Sequence, residues 1–375
     1  MKLQLGRAEF AEAIGWATRL VGPRPHLPVL SGVLLTADDG RLTCSAHDLE
    51  VAGQVQVAAN IERTGRALLP GKLLAGMAAK LPDAPVQLAV EGDDVTIDCG
   101  RAHFTLRGMR AEDYPGALEP IADAPTGILK ADAFNRMVTQ VARAAATEEA
   151  RPMLTGVKLE AREGELSAAA TDSYRMAMRS LRWEKAVDAE ALVPARALME
   201  AAKAAQEAGG EVAISFEEGQ VTFMLGDRRL TTRLIEAAFP NVRGLLPDSF
   251  ETVAVVERAA LLEALSRVSV VTQGQVNTPV NVTFGDGSVE LRAGGQEGAA
   301  QEAMPADVDG ETIEIAFNPT YLASGLEATG TEFIRVELRD GLKPAVLRPQ
   351  AAAAEDGEAP KVEDFTYLLM PMRVN

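Results

Sequence analysis

Residues Arg151–Ala177 read RPMLTGVKLEAREGELSAAATDSYRMA, and the spacing inside this stretch recurs elsewhere in the chain. Gly156, Gly164 and Asp172 reappear as Gly32, Gly40 and Asp48, with 156 − 32 = 164 − 40 = 172 − 48 = 124. A more diverged third copy, TPVNVTFGDGSVELRA, keeps its turn glycine at Gly287, with 287 − 164 = 123. A period near 124 in 375 residues means three similar domains in tandem. Units of that length fall at the common domain size, whereas 375 residues exceed what a single core supports.

The quoted stretch alternates apolar and polar residues about Glu163-Gly164, the pattern of a hairpin whose turn needs positive φ. The first copy does the same about Asp39-Gly40. Ahead of it, Arg7 to Val21 carries Phe10, Ile14, Ala17 and Leu20 at helical spacing. A second helix begins just after Pro70, and a second hairpin follows about Glu91-Gly92. Each domain therefore reads strand, helix, three strands, twice over. This is an α+β fold, two helices packed on one face of an antiparallel sheet. The second domain repeats the order with a helix at Ala131–Ala146 and another opened by Pro194, and 194 − 70 = 124. The third has a helix at Glu257–Val270, and Asn318 aligns with Pro194 at 318 − 194 = 124. Proline-bearing acidic linkers divide the chain into 1–121, 127–248 and 251–375. Gln350–Asp364 lacks any periodic apolar pattern and reads as a mobile loop.

A net charge of −17 argues against a protein that grips nucleic acid with its whole surface, though not against a locally basic face. Cys44 and Cys99 sit in alternating apolar segments and read as buried thiols of a reducing compartment. His26, His47 and His103 show no metal-ligand spacing with them, so neither metal nor other cofactor is expected. No run of 18 apolar residues occurs, and the chain is expected to be soluble and cytoplasmic, without membrane partners.

No phosphate-cradling glycine motif is present, and Gly285-Asp286-Gly287 reads as a hairpin turn. Asp48 and Asp172 recur at one place in two domains, which is the nearest approach to a catalytic signal. The favoured reading is structural: an Asp ending a strand caps the following turn with its own side chain. Without a nucleophile and neighbouring base, the chain does not read as an enzyme.

Two features point to binding instead. The helices bring Arg7, Arg19, Lys72, Lys80, Lys130, Arg136, Arg143, Arg196, Lys203, Arg258 and Arg267, while acids concentrate in turns and linkers. This reads either as one relatively basic face making weak, sequence-blind phosphate contacts or as ordinary mixed helix surfaces. The second feature is FTYLLMPMRVN, Phe365–Asn375, where a proline inside a terminal strand must sit at an edge or an end. Its methionines suit an adaptable groove for an apolar peptide, and the alternative is a strand packed on its own domain.

The chain resembles the bacterial DNA polymerase III β subunit, the replicative sliding clamp, over essentially its whole length. The resemblance rests on RPHLPVL at Arg24–Leu30, Leu154-Thr155-Gly156, TDSYRMA at Thr171–Ala177, FPNVR at Phe239–Arg243 with Leu246-Pro247, FNP at Phe317–Pro319, and LMPMR at Leu369–Arg373. It implies a head-to-tail homodimeric ring of six domains, with helices inside around duplex DNA and sheets outside. Enclosure then replaces affinity, which accommodates a net charge of −17. DNA contacts would fall to Arg24, Lys72 and Arg196 by motif, together with the helix cations Lys80, Arg136, Arg143 and Lys203.

The resemblance also implies a hydrophobic pocket between the second and third domains. It would accept a Gln- and Leu/Phe-containing peptide from the polymerase III α subunit, the clamp-loader ATPase, other polymerases and repair proteins. Its wall here would be Leu154, Thr171, Ser173, Tyr174, Arg175, Met176, Pro240, Leu245, Pro344, Leu368, Leu369, Met370, Pro371, Met372 and Arg373. Ser173-Tyr174 stands where many members have Gly-His, and Gly244 where a longer polar residue is common. The ring interface would set Phe104 and Leu106 against Val270 and Val271, with Arg101 facing acids such as Glu302. The rivals are a clamp paralogue with altered inhibitor or partner preference, a protein-binding scaffold that does not encircle DNA, and an enzyme using Asp48 or Asp172.

Overall fold

A computed structural model describes residues 1–22, 25–118, 125–148, 150–183, 188–272, 278–295, 298–350 and 364–373. Arg24 and residues 351–363 of the expected loop lie outside the described residues.

The first repeat runs β1 (Lys2–Leu5), α1 (Arg7–Arg19), β2 (Gly32–Asp38), β3 (Arg41–His47), β4 (Val51–Ala58), β5 (Asn60–Arg63), β6 (Gly65–Pro70), α2 (Gly71–Ala78), β7 (Val86–Glu91), β8 (Asp94–Cys99) and β9 (Ala102–Arg107). The second runs β10 (Gly127–Lys130), α3 (Ala131–Val141), β11 (Gly156–Arg162), β12 (Glu165–Thr171), β13 (Arg175–Arg182), β14 (Ala189–Pro194), α4 (Ala195–Ala208), β15 (Glu211–Glu217), β16 (Gln220–Leu225) and β17 (Arg228–Arg233). The third runs β18 (Thr252–Glu257), α5 (Arg258–Val268), β19 (Val280–Gly285), β20 (Ser288–Gly295), β21 (Gly298–Pro305), β22 (Asp307–Gly310), β23 (Ile313–Phe317), α6 (Pro319–Thr329), β24 (Phe333–Leu338), β25 (Ala345–Gln350) and β26 (Phe365–Leu369).

The expected order of strand, helix and three strands, twice over, is present in every repeat, with β5 and β22 added. The hairpin turns sit where alternation breaks. Asp39 and Gly40, Glu163 and Gly164, and Asp286 and Gly287 all have positive φ, from 45° to 80°. Two consecutive residues of this kind match the right-handed twist of the flanking strands. Helix starts follow the sequence too: Pro70 and Pro194 close a strand and release α2 and α4. In the third repeat Asn318 caps α6 instead, its Oδ1 accepting from the Thr320 and Tyr321 amides at 3.0 and 3.2 Å.

The sheets depart from expectation. Among the described residues the three repeats form four antiparallel sheets, ordered β5-β1-β7-β8-β9, β10-β15-β16-β17-β4-β3-β2-β6, β14-β11-β12-β13-β26-β25-β24-β18-β22 and β21-β20-β19-β23. Within each repeat the two halves exchange their leading strands: β1 pairs with β7, and β6 pairs with β2. Repeats are also joined to one another, β17 to β4 and β13 to β26. Alternation dictates which face a side chain takes but not which strand lies alongside, so neither arrangement could be read from it.

The chain forms two compact units, residues 1–135 with 199–234 and residues 136–198 with 235–375, so each takes half of the middle repeat. In the first unit α1 packs on α2 and on β2, β3 and β4, burying Phe10, Ile14 and Trp16. In the second, α5 packs on α6 and α6 on β25 and β26. Both thiols are buried as expected, and burial pushes that of Cys44 up to about 12.

The first unit encloses an ionic network. The Arg228 guanidinium, on β17, is held by Glu12 of α1, by Glu207 of α4 at 2.6 Å and by the Ala204 carbonyl at 3.4 Å. It lies 5.8 Å from the ring of Trp16. Arg19 of α1 reaches Glu200 at 2.7 Å and Glu207 at 3.0 Å. A guanidinium so enclosed is tolerated only while its charge is matched.

Burial works to raise the Glu207 pKa, but hydrogen bonds and charge from Arg19 and Arg228 outweigh it and hold the group below its ordinary value of 4.5. The stability it contributes is complete above the unfolded value and is lost as pH falls through the lower folded one. Glu207→Gln should therefore cost about 1–3 kcal/mol near neutral pH. Urea midpoints should show this gap at pH 7 and should converge with wild type as pH drops below 4.5.

Candidate functional site

The quoted stretch ends in a tight turn that the structure builds from its own side chains. Asp172 Oδ1 accepts from the Tyr174 and Arg175 amides at 2.9 and 3.0 Å, and Thr171 Oγ1 accepts from the Ser173 amide at 3.1 Å. Ser173 takes φ +82°. In the first repeat Asp48 Oδ1 accepts from the Glu50 and Val51 amides at 3.2 and 2.8 Å, with Leu49 at φ +79°. The capping role read for both aspartates is the one they perform.

In the middle repeat further charged and aromatic contacts surround this turn. Arg175 Nε donates to Asp172 Oδ2 at 3.0 Å, and its guanidinium lies 4.5 Å from the centre of the Tyr321 ring. Burial opposes the Arg175 charge, and Tyr367 and Asp172 more than restore it, so its pKa is raised. Tyr174, 59% exposed, stacks on Tyr321 with centroids 6.2 Å apart and planes 25° from parallel. Tyr321 itself is anchored from below, where the Tyr367 hydroxyl donates to its carbonyl at 2.9 Å. That contact needs close approach: a Cβ at Gly325 of α6 would stand 2.6 Å from the Tyr367 ring.

Beside the turn, β13 pairs with β26 in the register Arg175–Leu369 and Met176–Leu368, and the Met370 amide donates to the Tyr174 carbonyl at 2.9 Å. β26 therefore lies inside a nine-stranded sheet and is not an edge strand. Pro371 is accommodated beyond the strand's end, where no ladder donor is required. Met176, Leu368 and Val346 of β25 form a buried floor with Val242 of the connector, flanked by Phe239, Leu246 and Phe250.

Of the wall residues expected from sequence, Leu154, Thr171, Met176, Leu368 and Leu369 are buried. Arg175, Pro344, Pro371 and Met372 are half-buried, and Ser173, Tyr174, Pro240, Leu245, Met370 and Arg373 are exposed. Sequence reasoning missed Tyr321, Val242 and Val346. FNPTY marked Tyr321 only as part of a helix start, and Val346 becomes visible only through strand register. A cavity of about 610 Å³ lies further along the same face, between Phe239–Arg243 and β11–β13. Of the expected wall it takes only Pro240.

At the corresponding place in the first repeat, 171 − 47 = 124, His47 is buried. Its ring packs edge-on against Tyr114 at 4.7 Å, and its Nε2 lies 3.1 Å from the Pro115 carbonyl oxygen. In the middle repeat the smaller Thr171 stands at this place.

The cations assigned to the helix face divide into two groups. Lys72, Lys80, Arg136, Arg143, Arg196 and Lys203 are exposed. Arg143 also pairs with Glu327 at 2.6 Å. The cations of α1 are engaged elsewhere: Arg7 donates to the Leu81 carbonyl at 3.1 Å, and Arg19 belongs to the ionic network. Arg258 donates to the Thr331 carbonyl at 2.6 Å. Arg267 holds Glu302 at 2.6 and 2.9 Å, so the acid assigned to Arg101 already has a cation of its own chain. Arg101, just before the expected interface strand β9, is exposed, and on β9 Phe104 is half-buried and Leu106 buried; Val270 is exposed and Val271 half-buried.

Comparison with known proteins accounts for this arrangement. Residues 1–119, 128–241 and 243–373 match the N-terminal, central and C-terminal domains of the DNA polymerase III beta subunit. The chain belongs to the DNA polymerase III beta subunit family. It is 39% identical to the Beta sliding clamp of Streptomyces coelicolor, over all of both chains. It is 35% identical to the Beta sliding clamp homolog GriR of Streptomyces muensis, over 100% of this chain and 99% of that protein. Among solved structures, the Bacillus subtilis sliding clamp superposes with a TM-score of 0.91 at 26% identity, covering both chains fully. A Pseudomonas aeruginosa DnaN clamp bound to griselimycin does so with 0.91 at 27%, again over both chains. Three tandem clamp domains are thus the fold of this family member.

Asp172→Ala removes the oxygen that accepts from two backbone amides and the carboxylate partner of the half-buried Arg175 guanidinium. It should lower stability by about 2–4 kcal/mol, and a shift of the urea midpoint in that range checks it.

Proposed function

We propose that the chain is a replicative sliding clamp: a processivity factor that closes around duplex DNA and tethers polymerases to it. The observation that carries this reading is the β13–β26 ladder. It sets a buried apolar floor beside an exposed, rigidly capped turn bearing Tyr174, with methionine on the other side. Such a surface suits a short peptide with apolar anchors. Proposed occupants are segments of the polymerase III α subunit, the clamp-loader ATPase and other polymerases and repair proteins. The family's processivity role and the turn-capping duty of Asp48 and Asp172 support a protein without catalysis of its own.

The ring is proposed as a head-to-tail homodimer of the domains 1–121, 127–248 and 251–375, supported by the three family matches along the chain. β9 and β21 each end a sheet with unpaired backbone groups, so each suits pairing with a second copy. Phe104, Leu106, Val270 and Val271 would lie at that junction, and Arg101 would seek an acid other than Glu302. DNA contact would fall to Lys72, Lys80, Arg136, Arg143, Arg196 and Lys203, with Arg24 as proposed from its motif. Among the described residues no helix is long and apolar enough to cross a membrane. Work in the cytoplasm, at the nucleoid, is part of the same proposal.

A paralogue role is the second reading. It is favoured by Ser173-Tyr174 at the turn, and one full-length relative, GriR, bears the name Beta sliding clamp homolog.

Met370→Ala with Met372→Ala should abolish capture of a labelled peptide bearing a Gln-Leu motif, measured by fluorescence polarisation, while the mass in solution stays dimeric. Unchanged capture would remove the pocket assignment, and a monomeric wild type would remove the ring. Loaded protein should persist on closed circular DNA at high salt and leave once the circle is cut. Loss from closed circles at high salt would contradict enclosure.

A further inference from the structure

The first unit carries a second groove, of about 500 Å³, on the face of its eight-stranded sheet away from α1. Gly53 of β4 faces Trp16 and Leu20 on the helix side, so its neighbour Gln54 faces the other way. Strand register lines the groove with two cross-strand rows. One runs Arg66, Thr36, Thr43, Gln56; the next runs Leu34, Ser45, Gln54, Arg229. Tyr114–Leu118, leaving the first repeat, lines the groove as well.

Hydroxyls, primary amides and guanidinium groups all donate hydrogen bonds, whereas a carboxylate only accepts. No Asp or Glu lines this groove among the described residues, although the chain carries 54 of them. The recurring groove of the second unit makes the contrast. There Glu160 stands where 160 − 124 gives Thr36, and Glu165 and Asp364 join it. The cleft is a product of the fold, and the exclusion of acids belongs to the first copy.

We propose that this groove binds an extended acidic peptide segment of a partner protein. Arg66 and Arg229 lie on strands four steps apart, about 19 Å, a span of about six extended residues. Between them the hydroxyl and amide rows offer donors to carboxylates and to peptide carbonyls. Single-stranded nucleic acid is the poorer match, because it requires successive aromatic platforms and a continuous basic track, and Tyr114 is the lone aromatic residue among those described here. The site is separate from the helix cations and from the Tyr174 turn.

The test uses the full-length chain and a fluorescein-labelled heptapeptide alternating glutamate and alanine. Binding should saturate, should persist in excess short duplex DNA, and should weaken at least fivefold in Arg66→Ala and in Thr43→Val. Arg63→Ala, which removes an exposed arginine on β5, should leave it unchanged. Unaltered affinity in both groove variants, with native melting temperatures, would overturn the proposal. So would an equal loss in Arg63→Ala, which marks non-specific charge, or displacement by an oligothymidine with as many phosphates as the peptide has carboxylates, which marks a nucleic-acid site.

Discussion

Two ladders, Val51–Val55 against Arg228–Thr232 and Arg175–Arg179 against Phe365–Leu369, join strands from different repeats. Each converts two open sheet edges into interior strands, so amides and carbonyls that would otherwise face water are matched by backbone. The rest of the molecule follows from these joins. The first puts Arg228 beneath α1, where burial demands the acids of α1 and α4. The second places the Met176–Leu368 floor under the connector and hangs Met370 from the Tyr174 carbonyl. The surface proposed for peptide binding thus lies where two copies of one unit meet, and its two sides come from sequences with no local relation.

The two joins have the same backbone and different chemistry. In the first, His47 and Tyr114 fill the space under the exit segment and Val51 follows the turn. In the second, Thr171 is small and Arg175 carries a charge satisfied by Asp172 and shared with the Tyr321 ring. Duplication supplied the cleft twice, and the side chains at and beside the turn give each copy its own lining.

Much of this was legible from residues. The turns at Asp39-Gly40, Glu163-Gly164 and Asp286-Gly287 announced themselves because few dipeptides accept two positive φ values in succession. The 124-residue offset exposed the repeats, and TDSYRMA marked the turn beside the proposed site. What escaped were facts about pairing. Period-two alternation is indifferent to the neighbouring strand, so the exchange of β1 and β6, the joins between repeats and the interior position of β26 were all hidden. The same blindness concealed Val346 and Tyr321. Arg19 looked like any helix cation, since nothing local shows that Glu200 and Glu207 await it.

The exchange of leading strands also divides each repeat into a quick half and a slow half. Gly32 meets Pro70 and Gly156 meets Pro194, closures of 70 − 32 = 194 − 156 = 38 residues. Leu5 must wait for Val86, and Lys130 for Glu211, closures of 86 − 5 = 211 − 130 = 81. The longer closure costs only about 0.7 kcal/mol more in chain entropy, a modest thermodynamic difference. Its effect falls on order of assembly, because non-local pairings reward the chain late. A chain that closes its shorter loops first pairs β2 with β6 and β11 with β14 while β1 and β10 still await β7 and β15. Their exposed edges mark the interval of greatest risk for pairing with the wrong copy of a thrice-repeated pattern.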